Sequence, residues 1–521
     1  MKNLQQTTFS AILTVFSSNA LSKALGFLLI VVFAAKVGTS SQGDAYTFAF
    51  ILPDLLNSIL AGSALSIAFI PIYQALAGDP EKQSRFFSNV FTTASLVFVA
   101  ALSICFFAAP FFVRILAGDN INSDAQIFDL TVKLTRIVLP AQLFFFWGAI
   151  FIGVQQANKN YRFAALAPII YNSSIIIFGI MLYGFVGIAG FSWGVLFGAL
   201  IGHGLVQFFG ARRFRIKYKP VIDLGDKDFK LWFLNTLPLM LGLGITFSNE
   251  FTFRFFGSRI DDGQGAIVAL NYAYRIVMIL VGLFASSIAA PIFPFLSEKA
   301  NEKKFDEMEK ILIPIFVKTA SIIIILSAAI YLVSGEIIST LFGRGAFNED
   351  SVALTSKALI GYLPGIFFLS AAIILQRLFY AVKDTKTPLV ISTVSLVLSL
   401  PFYKIFSDLW GITGISAATS VFSVLVSFLI VWRWYKFYPQ SKLLSTLKPI
   451  FLSAITALAM VLTQFFVLRL ISGFEIPQIL QILLVTLPAI ALAAVLLNVF
   501  GILKPSDLLE KLRRKTRKQK T

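Results

Sequence analysis

The sequence predicts an all-α polytopic membrane protein with about fourteen transmembrane helices. Hydrophobic residues fill 57% of the 521 positions and charged residues only 13%, about half the share in a soluble globular chain. Apolar windows of about 20 residues, the length that spans a bilayer, recur along nearly the whole chain. Lipid accepts only helices or closed barrels, and these windows are too long and continuous for barrel strands of about ten alternating residues. The spans are therefore predicted to be helices.

The apolar windows place the spans, in chain order, near residues 9–36, 45–76, 86–113, 128–156, 163–184, 186–209, 232–256, 264–297, 310–340, 352–381, 387–406, 411–435, 446–471 and 477–501. An even number of spans puts both termini on one side of the membrane. The connections after the sixth, eighth, tenth and twelfth spans and the C-terminal tail are rich in Lys and Arg, whereas the alternate connections are poor in cations or acidic. By the positive-inside rule, both termini are predicted to be cytoplasmic.

Topology also explains the formal net charge of +18, so the charge does not indicate a nucleic-acid partner. The first apolar stretch runs on through Ala35 and carries Lys23, which favours a retained span over a cleaved signal. One cysteine, Cys105, and one histidine, His203, can build neither a disulfide framework nor a His/Cys metal site. The sequence has no phosphate-binding G-x-x-x-x-G-K-[ST] loop. It predicts no catalytic residue, no metal and no cofactor, so energy must come from a gradient, the membrane potential or the substrate's own gradient.

An internal repeat with an offset of about 224 residues fixes the architecture. Spans one to six and seven to twelve form two similar halves, and because six is even, they form a parallel repeat. The matches are Leu139-Pro140 with Leu363-Pro364, Phe69-Ile70-Pro71 with Ile292-Phe293-Pro294, and Leu116-Ala117-Gly118 with Leu341-Phe342-Gly343. The predicted domains are an N-lobe (1–210), a basic cytoplasmic linker (211–231), a C-lobe (232–436), a C-terminal helix pair (437–503) and a basic cytoplasmic tail (504–521).

Charged side chains within apolar spans are the candidate site residues. An ammonium in such a span costs about 2.5 to 3.5 kcal/mol on insertion scales, so Lys23 is expected to face protein or a water-filled cavity. The seventh and eighth spans correspond by the repeat to the first and second, so cations of both halves could converge on one cavity. Arg is suited to a phosphate or carboxylate because its guanidinium offers several N–H donors. The alternative for the two arginines is snorkelling to an interface or pairing with Glu250. The candidates are Lys23, Asp44, Glu250, Arg254 and Arg275.

Six segments of the sequence are typical of one family of membrane proteins. They are Arg377-Leu378-Phe379-Tyr380-Ala381-Val382-Lys383-Asp384-Thr385-Lys386-Thr387-Pro388 after the tenth span, Gly43-Asp44-Ala45, Leu52-Pro53-Asp54-Leu55-Leu56, Ala64-Leu65-Ser66-Ile67-Ala68-Phe69-Ile70-Pro71, Tyr272-Ala273-Tyr274-Arg275 and Pro294-Phe295-Leu296-Ser297. In these segments the chain resembles the MurJ (MviN-type) lipid II flippases, which belong to the multidrug/oligosaccharidyl-lipid/polysaccharide exporter superfamily. The resemblance covers nearly the whole chain, including the thirteenth and fourteenth spans.

This resemblance implies a flippase that moves the undecaprenyl-pyrophosphate-linked peptidoglycan precursor, lipid II, from the inner to the outer leaflet of the bacterial plasma (inner) membrane. It also implies a cationic cavity between the lobes and a lipid-tail groove formed by the last two helices. The expected contacts are lipid II and membrane lipids, and the protein is expected to be a monomer. Lys23 stands at the position of a first-helix Arg of the family, Asp44 at its Asp and Arg275 at its eighth-helix Arg.

The sequence departs from the family pattern at several charged positions. Leu29-Ile30 stand where the family commonly has Arg followed by an acid, Asn57 replaces an Arg, and Gly62 replaces a Glu. The cavity is thus expected to be less charged than in the family, and Asn57 joins the candidate substrate contacts. Some family members couple to sodium through acidic and amide residues; the eleventh span here offers Ser395 and Ser399 but no Asp or Asn. Sodium coupling is therefore not predicted.

Three other functions compete with this one. A flippase of another polyprenyl-pyrophosphate-linked oligosaccharide would share the features above. A cation-coupled drug exporter predicts about twelve helices and an acidic cavity, against the basic cavity and the added helix pair found here. A membrane enzyme such as a glycosyltransferase needs clustered acids or a metal-binding motif at a membrane face, and the sequence shows neither. The chain is therefore expected to be a transporter and not an enzyme.

Overall fold

The computed structural model describes residues 2–58, 64–158, 160–214, 216–244, 248–260, 264–474 and 476–503. Gly62 and the predicted tail 504–521 lie outside these residues. Within the described part of the chain the structure contains helices and their connections and no strand, and eleven helices are long and apolar enough to cross a membrane. The all-α polytopic prediction is confirmed.

The chain divides into two compact units. The first comprises Met1–Val268 together with Arg344–Phe347, and the second comprises Ala269–Gly343 and Asn348–Thr521. The seventh predicted span thus groups with the first six. The lobe boundaries predicted from the sequence remain predictions.

The described residues of the first unit form fourteen α-helices, of which α1 and α11 both pack against α10. Asp and Asn side chains cap several helices at their first residues. At the start of α5, for example, the Asp79 side chain accepts the N–H of Lys82. Pro80 is the first residue of α5, a position that favours proline. The helices are α1 (Lys2–Val37), α2 (Ser41–Ala49), α3 (Ile51–Leu56), α4 (Ala64–Ala75), α5 (Pro80–Phe107), α6 (Ala109–Leu116), α7 (Asp119–Asn122), α8 (Ala125–Val138), α9 (Ala141–Ala157), α10 (Arg162–Val186), α11 (Ala189–Gly198), α12 (Val206–Arg212), α13 (Lys227–Gly244) and α14 (Ser248–Gly257).

The predicted basic linker is hydrogen-bonded to α5. Asn89, which is 1% exposed, donates to the carbonyl of Asp223 at 2.7 Å and accepts the Asp223 N–H at 2.9 Å. Arg85 pairs with the Asp223 carboxylate at 3.0 Å. The linker therefore follows the surface of the first unit.

α15 (Ala266–Val281) begins in the first unit and continues into the second. Within the second unit, α19 packs along α20, α17 packs along α21, and α21 packs along α22. The remaining helices are α16 (Ser287–Asn301), α17 (Phe305–Tyr331), α18 (Ser334–Phe342), α19 (Glu349–Ala381), α20 (Lys386–Phe437), α21 (Leu447–Ile471) and α22 (Gln478–Val499).

Several of the predicted spans differ from single uninterrupted helices. The second contains α2 and α3, which are separated by a turn at Phe50, as well as α4, and the seventh contains α13 and α14. The segment α20 is divided by the non-helical Gly411 into two helices, which correspond to the eleventh and twelfth predicted spans. The count of about fourteen spans therefore stays a prediction.

Two structural landmarks recur at the predicted repeat offset. Asp124 caps α8 through its side chain, and Asn348 caps α19 in the same way 224 positions later. Gly187 (φ 61°, ψ −143°) and Gly411 (φ 52°, ψ −128°) have the same unusual backbone conformation at the same separation. Only glycine adopts this region readily, so the same break between consecutive spans is built into both halves.

Candidate functional site

An ion-pair cluster around the buried Arg254 joins α14 to α3 in the first unit. The Arg254 guanidinium is 5% exposed and donates to the Asp54 carboxylate at 2.7 Å and to the Glu250 carboxylate at 3.0 Å. Glu250 lies one turn before Arg254 on the same helix, where side chains four residues apart meet. Arg254 is therefore neutralised inside the protein by two acids, one of which, Asp54, is absent from the predicted site residues.

Asp44 caps the start of α15 from another helix. It is 2% exposed, and its two carboxylate oxygens accept the backbone N–H groups of Gly265 at 2.8 Å and Val268 at 2.9 Å. Both oxygens are thus occupied by the N-terminus of α15, where exposed N–H groups and the helix dipole favour an anion. The structure gives Asp44 a positioning role.

The turn before α15 requires glycine at one position. Gly265 has φ 91°, and a Cβ there would overlap the backbone of Thr39. This close approach brings the α15 N-terminus within reach of the Asp44 carboxylate.

A second junction lies where α6 and α14 both end. The backbone N–H of Gly118 donates to Ser258 Oγ at 2.9 Å, and Asn120 Nδ2 donates to the carbonyl of Ile260 at 2.9 Å. Arg259 donates to the carbonyl of Leu116 at 2.9 Å, and its guanidinium stacks 3.6 Å from the centre of the Phe255 ring. Burial lowers the pKa of Arg259, while the charge of Asp119 acts in the opposite direction. The guanidinium thus caps two helix C-termini, a placement that the dipole favours.

Lys23 and Arg275 differ from Arg254 in being exposed. Within the described residues neither cation has an ion-pair partner. Lys23 lies on α1 in the first unit, next to Ser22, whose carbonyl accepts a hydrogen bond from Asn172 of α10 at 3.1 Å. This hydrogen bond holds α1 against α10 at the position next to Lys23.

Arg275 lies on α15, within the second unit. The neighbouring Tyr272 and Tyr274 are 2% and 8% exposed and form ring contacts with Phe342 and Tyr362. Both tyrosines anchor α15 within the second unit, whereas Arg275 on the same helix is exposed.

Asn57 is half-buried at the end of α3, where its backbone N–H bonds to the carbonyl of Asp54. Of the six predicted residues, the structure brings Glu250 and Arg254 into direct contact and uses Asp44 as a cap. The part taken by Lys23, Arg275 and Asn57 in substrate binding remains a prediction. Among the described residues no group of three or more His, Cys, Asp or Glu side chains could hold a metal ion.

Asp54 could have been found from the sequence. It is an acid inside an apolar span, and such residues usually pair with another charge within the protein. The partner itself could not be identified, because the sequence does not show that α3 and α14 are neighbours.

A known protein family matches most of this chain. The model of the family "Lipid II flippase MurJ" matches residues 33–480. A protein of Bdellovibrio bacteriovorus described as "Probable lipid II flippase MurJ" is 28% identical over 419 residues, which cover 78% of each chain.

Two solved structures share the fold. A structure described as "Lipid II flippase MurJ, inward closed conformation" has a TM-score of 0.76 at 24% identity and covers 93% of this chain and 99% of that chain. An inward-facing multidrug resistance MATE family transporter of the MOP superfamily has a TM-score of 0.66 at 13% identity, covering 81% of this chain and 98% of that chain. These structural likenesses show the fold alone. The family match is what separates the two kinds of protein, and since it extends over residues 33–480, the chain belongs to the lipid II flippase MurJ family of multi-pass membrane proteins.

Proposed function

We propose that this protein is a lipid II flippase of the bacterial inner membrane. It moves the undecaprenyl-pyrophosphate-linked peptidoglycan precursor from the inner to the outer leaflet by alternating access. The family match over residues 33–480 carries this conclusion. The protein acts as a transporter and not as an enzyme, and it works as a monomer. Both termini lie in the cytoplasm, because the positive-inside rule places the basic connections on that side.

Lys23 and Arg275 are the proposed contacts of the pyrophosphate. Both are exposed cations on membrane-spanning helices without an ion pair among the described residues. An unpaired charge in such a helix is costly and is retained where it faces a water-filled path or a ligand. A pyrophosphate supplies the missing negative charge, and the Arg275 guanidinium can bind it through two parallel N–H donors.

The cluster of Asp54, Glu250 and Arg254 acts, in this proposal, as part of a gate. It joins α3 of the predicted N-lobe to α14 of the predicted C-lobe. The hydrogen bond that the Val268 N–H of α15 donates to Asp44 of α2 joins the same two predicted lobes. Arg254 can reach an anionic substrate only after it leaves its two carboxylates. Asn57, at the end of α3, contributes a neutral hydrogen-bonding group beside this gate.

The connections that meet here are predicted to lie on the periplasmic side by the charge pattern. They include the segments from Gly118 to Asn120 and from Ser258 to Ile260, which are joined by several hydrogen bonds. We infer that these contacts close the periplasmic side and must break for the substrate to leave. Breaking the ion pairs of the buried Arg254 is also costly, and this cost makes the closed state a discrete state of the transporter.

Complementation of a strain depleted of its own lipid II flippase tests the proposal. The wild-type protein should restore growth, and Lys23→Ala and Arg275→Ala should each abolish the rescue while membrane levels stay normal. Lys133→Ala is the matched control, because Lys133 is also an exposed cation on a helix, α8, and should still complement. Full growth of both substituted proteins would refute the anion site.

The competing glycan is tested in the native host. Depletion there should cause lipid II to accumulate in the inner leaflet. Normal peptidoglycan together with loss of a surface glycan would instead support a flippase of another polyprenyl-pyrophosphate-linked oligosaccharide.

A further inference from the structure

The C-terminal helix pair, α21 and α22, is tied to α17 through a buried carboxylate. Glu309, in the first turns of α17, is 1% exposed. Its Oε1 accepts hydrogen bonds from Trp434 Nε1 at 2.8 Å and from Ser441 Oγ at 2.6 Å. Its Oε2 accepts the backbone N–H of Lys442 at 2.7 Å. Three donors thus satisfy both oxygens of one buried acid.

The three donors mark the junction that leads into the helix pair. Trp434 lies in the last turn of α20, and Ser441 and Lys442 lie in the connection before α21. The ring of Phe305 covers this site, with its centre 6.3 Å from that of Trp434 and 5.4 Å from that of Tyr438. In such a site, removed from water, each hydrogen bond is strengthened and a missing donor is costly. Glu309 therefore specifies one arrangement of this junction.

Polar contacts continue along the same two helices. Ser321 Oγ and Ser453 Oγ lie 2.8 Å apart, and Gln464 Nε2 donates to the carbonyl of Ala329 at 2.9 Å. The contact residues follow in the same order on both helices, Ser321 before Ala329 on α17 and Ser453 before Gln464 on α21. The two helices therefore run parallel in a fixed register. Lipid supplies no hydrophobic drive for helix association, and such hydrogen bonds and close packing hold helices together there.

The other helix of the pair is attached beyond the end of α17. Gln481 Nε2 donates to the Glu336 carboxylate at 3.0 Å, and Ser339 Oγ donates to Gln478 Oε1 at 3.1 Å. These contacts join α22 to α18. The pair is thus bonded to the rest of the second unit near both of its ends.

We propose that Glu309 is a positioning residue that locks the C-terminal helix pair to α17, so that the pair and α17 move as one body during transport. The proposal rests on the proposed flippase function in one respect: it assigns the lipid tail of the substrate to the surface of this pair. Without the lock, the helix pair that forms the tail-binding surface would shift in register against α17. Transport would then fail although the headgroup contacts are intact.

Disulfide trapping measures the lock directly. Ser321→Cys and Ser453→Cys, introduced together after Cys105→Ser removes the native thiol, should form a disulfide efficiently in membranes because the two hydroxyls are in contact. Adding Glu309→Gln should reduce the initial cross-linking rate at least threefold, since the amide presents an N–H group to one of the three donors. Asp306→Asn, which changes an exposed acid one turn away, should leave the rate unchanged.

Transport in the complementation strain supplies the second reading. The disulfide-linked protein with Glu309 intact should still complement, because the two helices are proposed not to move against each other. Glu309→Gln should reduce complementation at least tenfold, and the disulfide should restore it. Ser441→Ala, which removes only one donor, should fold normally and show an intermediate loss.

Two results would overturn the lock. One is an unchanged cross-linking rate in Glu309→Gln, and the other is loss of transport when the disulfide forms in the protein that retains Glu309. If Glu309→Gln does not reach the membrane, the cross-linking rate of Ser441→Ala decides. If the wild-type protein itself fails to complement, the proposed function fails, whereas the cross-linking comparison still tests the lock.

Discussion

Replacing Asp44 should release the start of α15. Asp44→Ala leaves the N–H groups of Gly265 and Val268 without their buried acceptor. A buried donor without a partner costs about 1 to 3 kcal/mol, and loss of an N-terminal cap costs about 0.5 to 2 kcal/mol. Two donors lose their acceptor, so the loss exceeds that of one donor, but the cap estimate counts part of the same loss and the two are not simply added. We therefore expect Asp44→Ala to lower the free energy of unfolding by about 2 to 4 kcal/mol. Asp44→Asn keeps one acceptor oxygen and should lower the free energy of unfolding by about 1 to 3 kcal/mol.

Amide hydrogen exchange measured in detergent gives the local readout. The amides of Gly265 and Val268 are protected by the Asp44 carboxylate, so their exchange should accelerate in the variants. A loss of about 2 kcal/mol corresponds to exchange about 30-fold faster, since about 1.4 kcal/mol is a factor of ten. The acceleration should be confined to the first turn of α15.

Asp124→Asn is the matched control. Asp124 is also an N-cap, but a single oxygen, Oδ1, accepts the N–H groups of Gln126 and Ile127, and the site is exposed. Asparagine caps helices as well as aspartate does, so this substitution should change the free energy by less than about 0.5 kcal/mol. Equal effects of Asp44→Asn and Asp124→Asn, or unchanged exchange at Gly265, would refute the reasoning that two oxygens are needed at Asp44.

Three glycines give further predictions about stability. Gly361→Ala should destabilise the packing of α19 on α20 by about 1 to 3 kcal/mol, because a Cβ there would overlap Ser416; thermal unfolding in detergent measures the loss. Gly118→Ala should have a similar cost, because its Cβ would overlap the backbone of Ser258, and trypsin should then cleave near this junction more readily. Gly184→Ala, inside α10 with open space around it, should instead leave the melting temperature unchanged or raise it, by a gain of up to about 1 kcal/mol. A destabilised Gly184→Ala protein would show that helix propensity does not govern that site.

The sequence is sufficient to predict the class of fold because lipid allows few solutions. Apolar windows locate the helices, and the paired landmarks at Gly187 and Gly411 lie at the predicted repeat offset. The windows cannot show where a span breaks internally. The turn at Phe50, which separates α2 from α3, depends on local packing, to which hydropathy is insensitive.

The sequence is less informative about charged residues, because hydropathy treats all intramembrane charges alike. Lys23 and Arg254 look equivalent in their spans, yet one is exposed and the other is enclosed between Asp54 and Glu250. The difference lies in the tertiary neighbour that each cation meets. A pairing search among intramembrane acids would have proposed Asp54, but the choice among several acids requires the helix arrangement.

Asp44 shows how the repeat itself can produce such a requirement. It lies in the first turn of α2, and the amide it accepts from, that of Val268, lies 224 positions later, which is the repeat offset. Gly43 also packs on the Val268 side chain, so the N-termini of two equivalent helices lie side by side. Two positive helix ends in a buried site repel each other unless an anion lies between them. One carboxylate is enough for both helix N-termini, so the second half of the repeat does not need its own. The position equivalent to Asp44 in the second half is accordingly Val268. The two halves therefore differ in charge here because the fold brings their equivalent helix ends together.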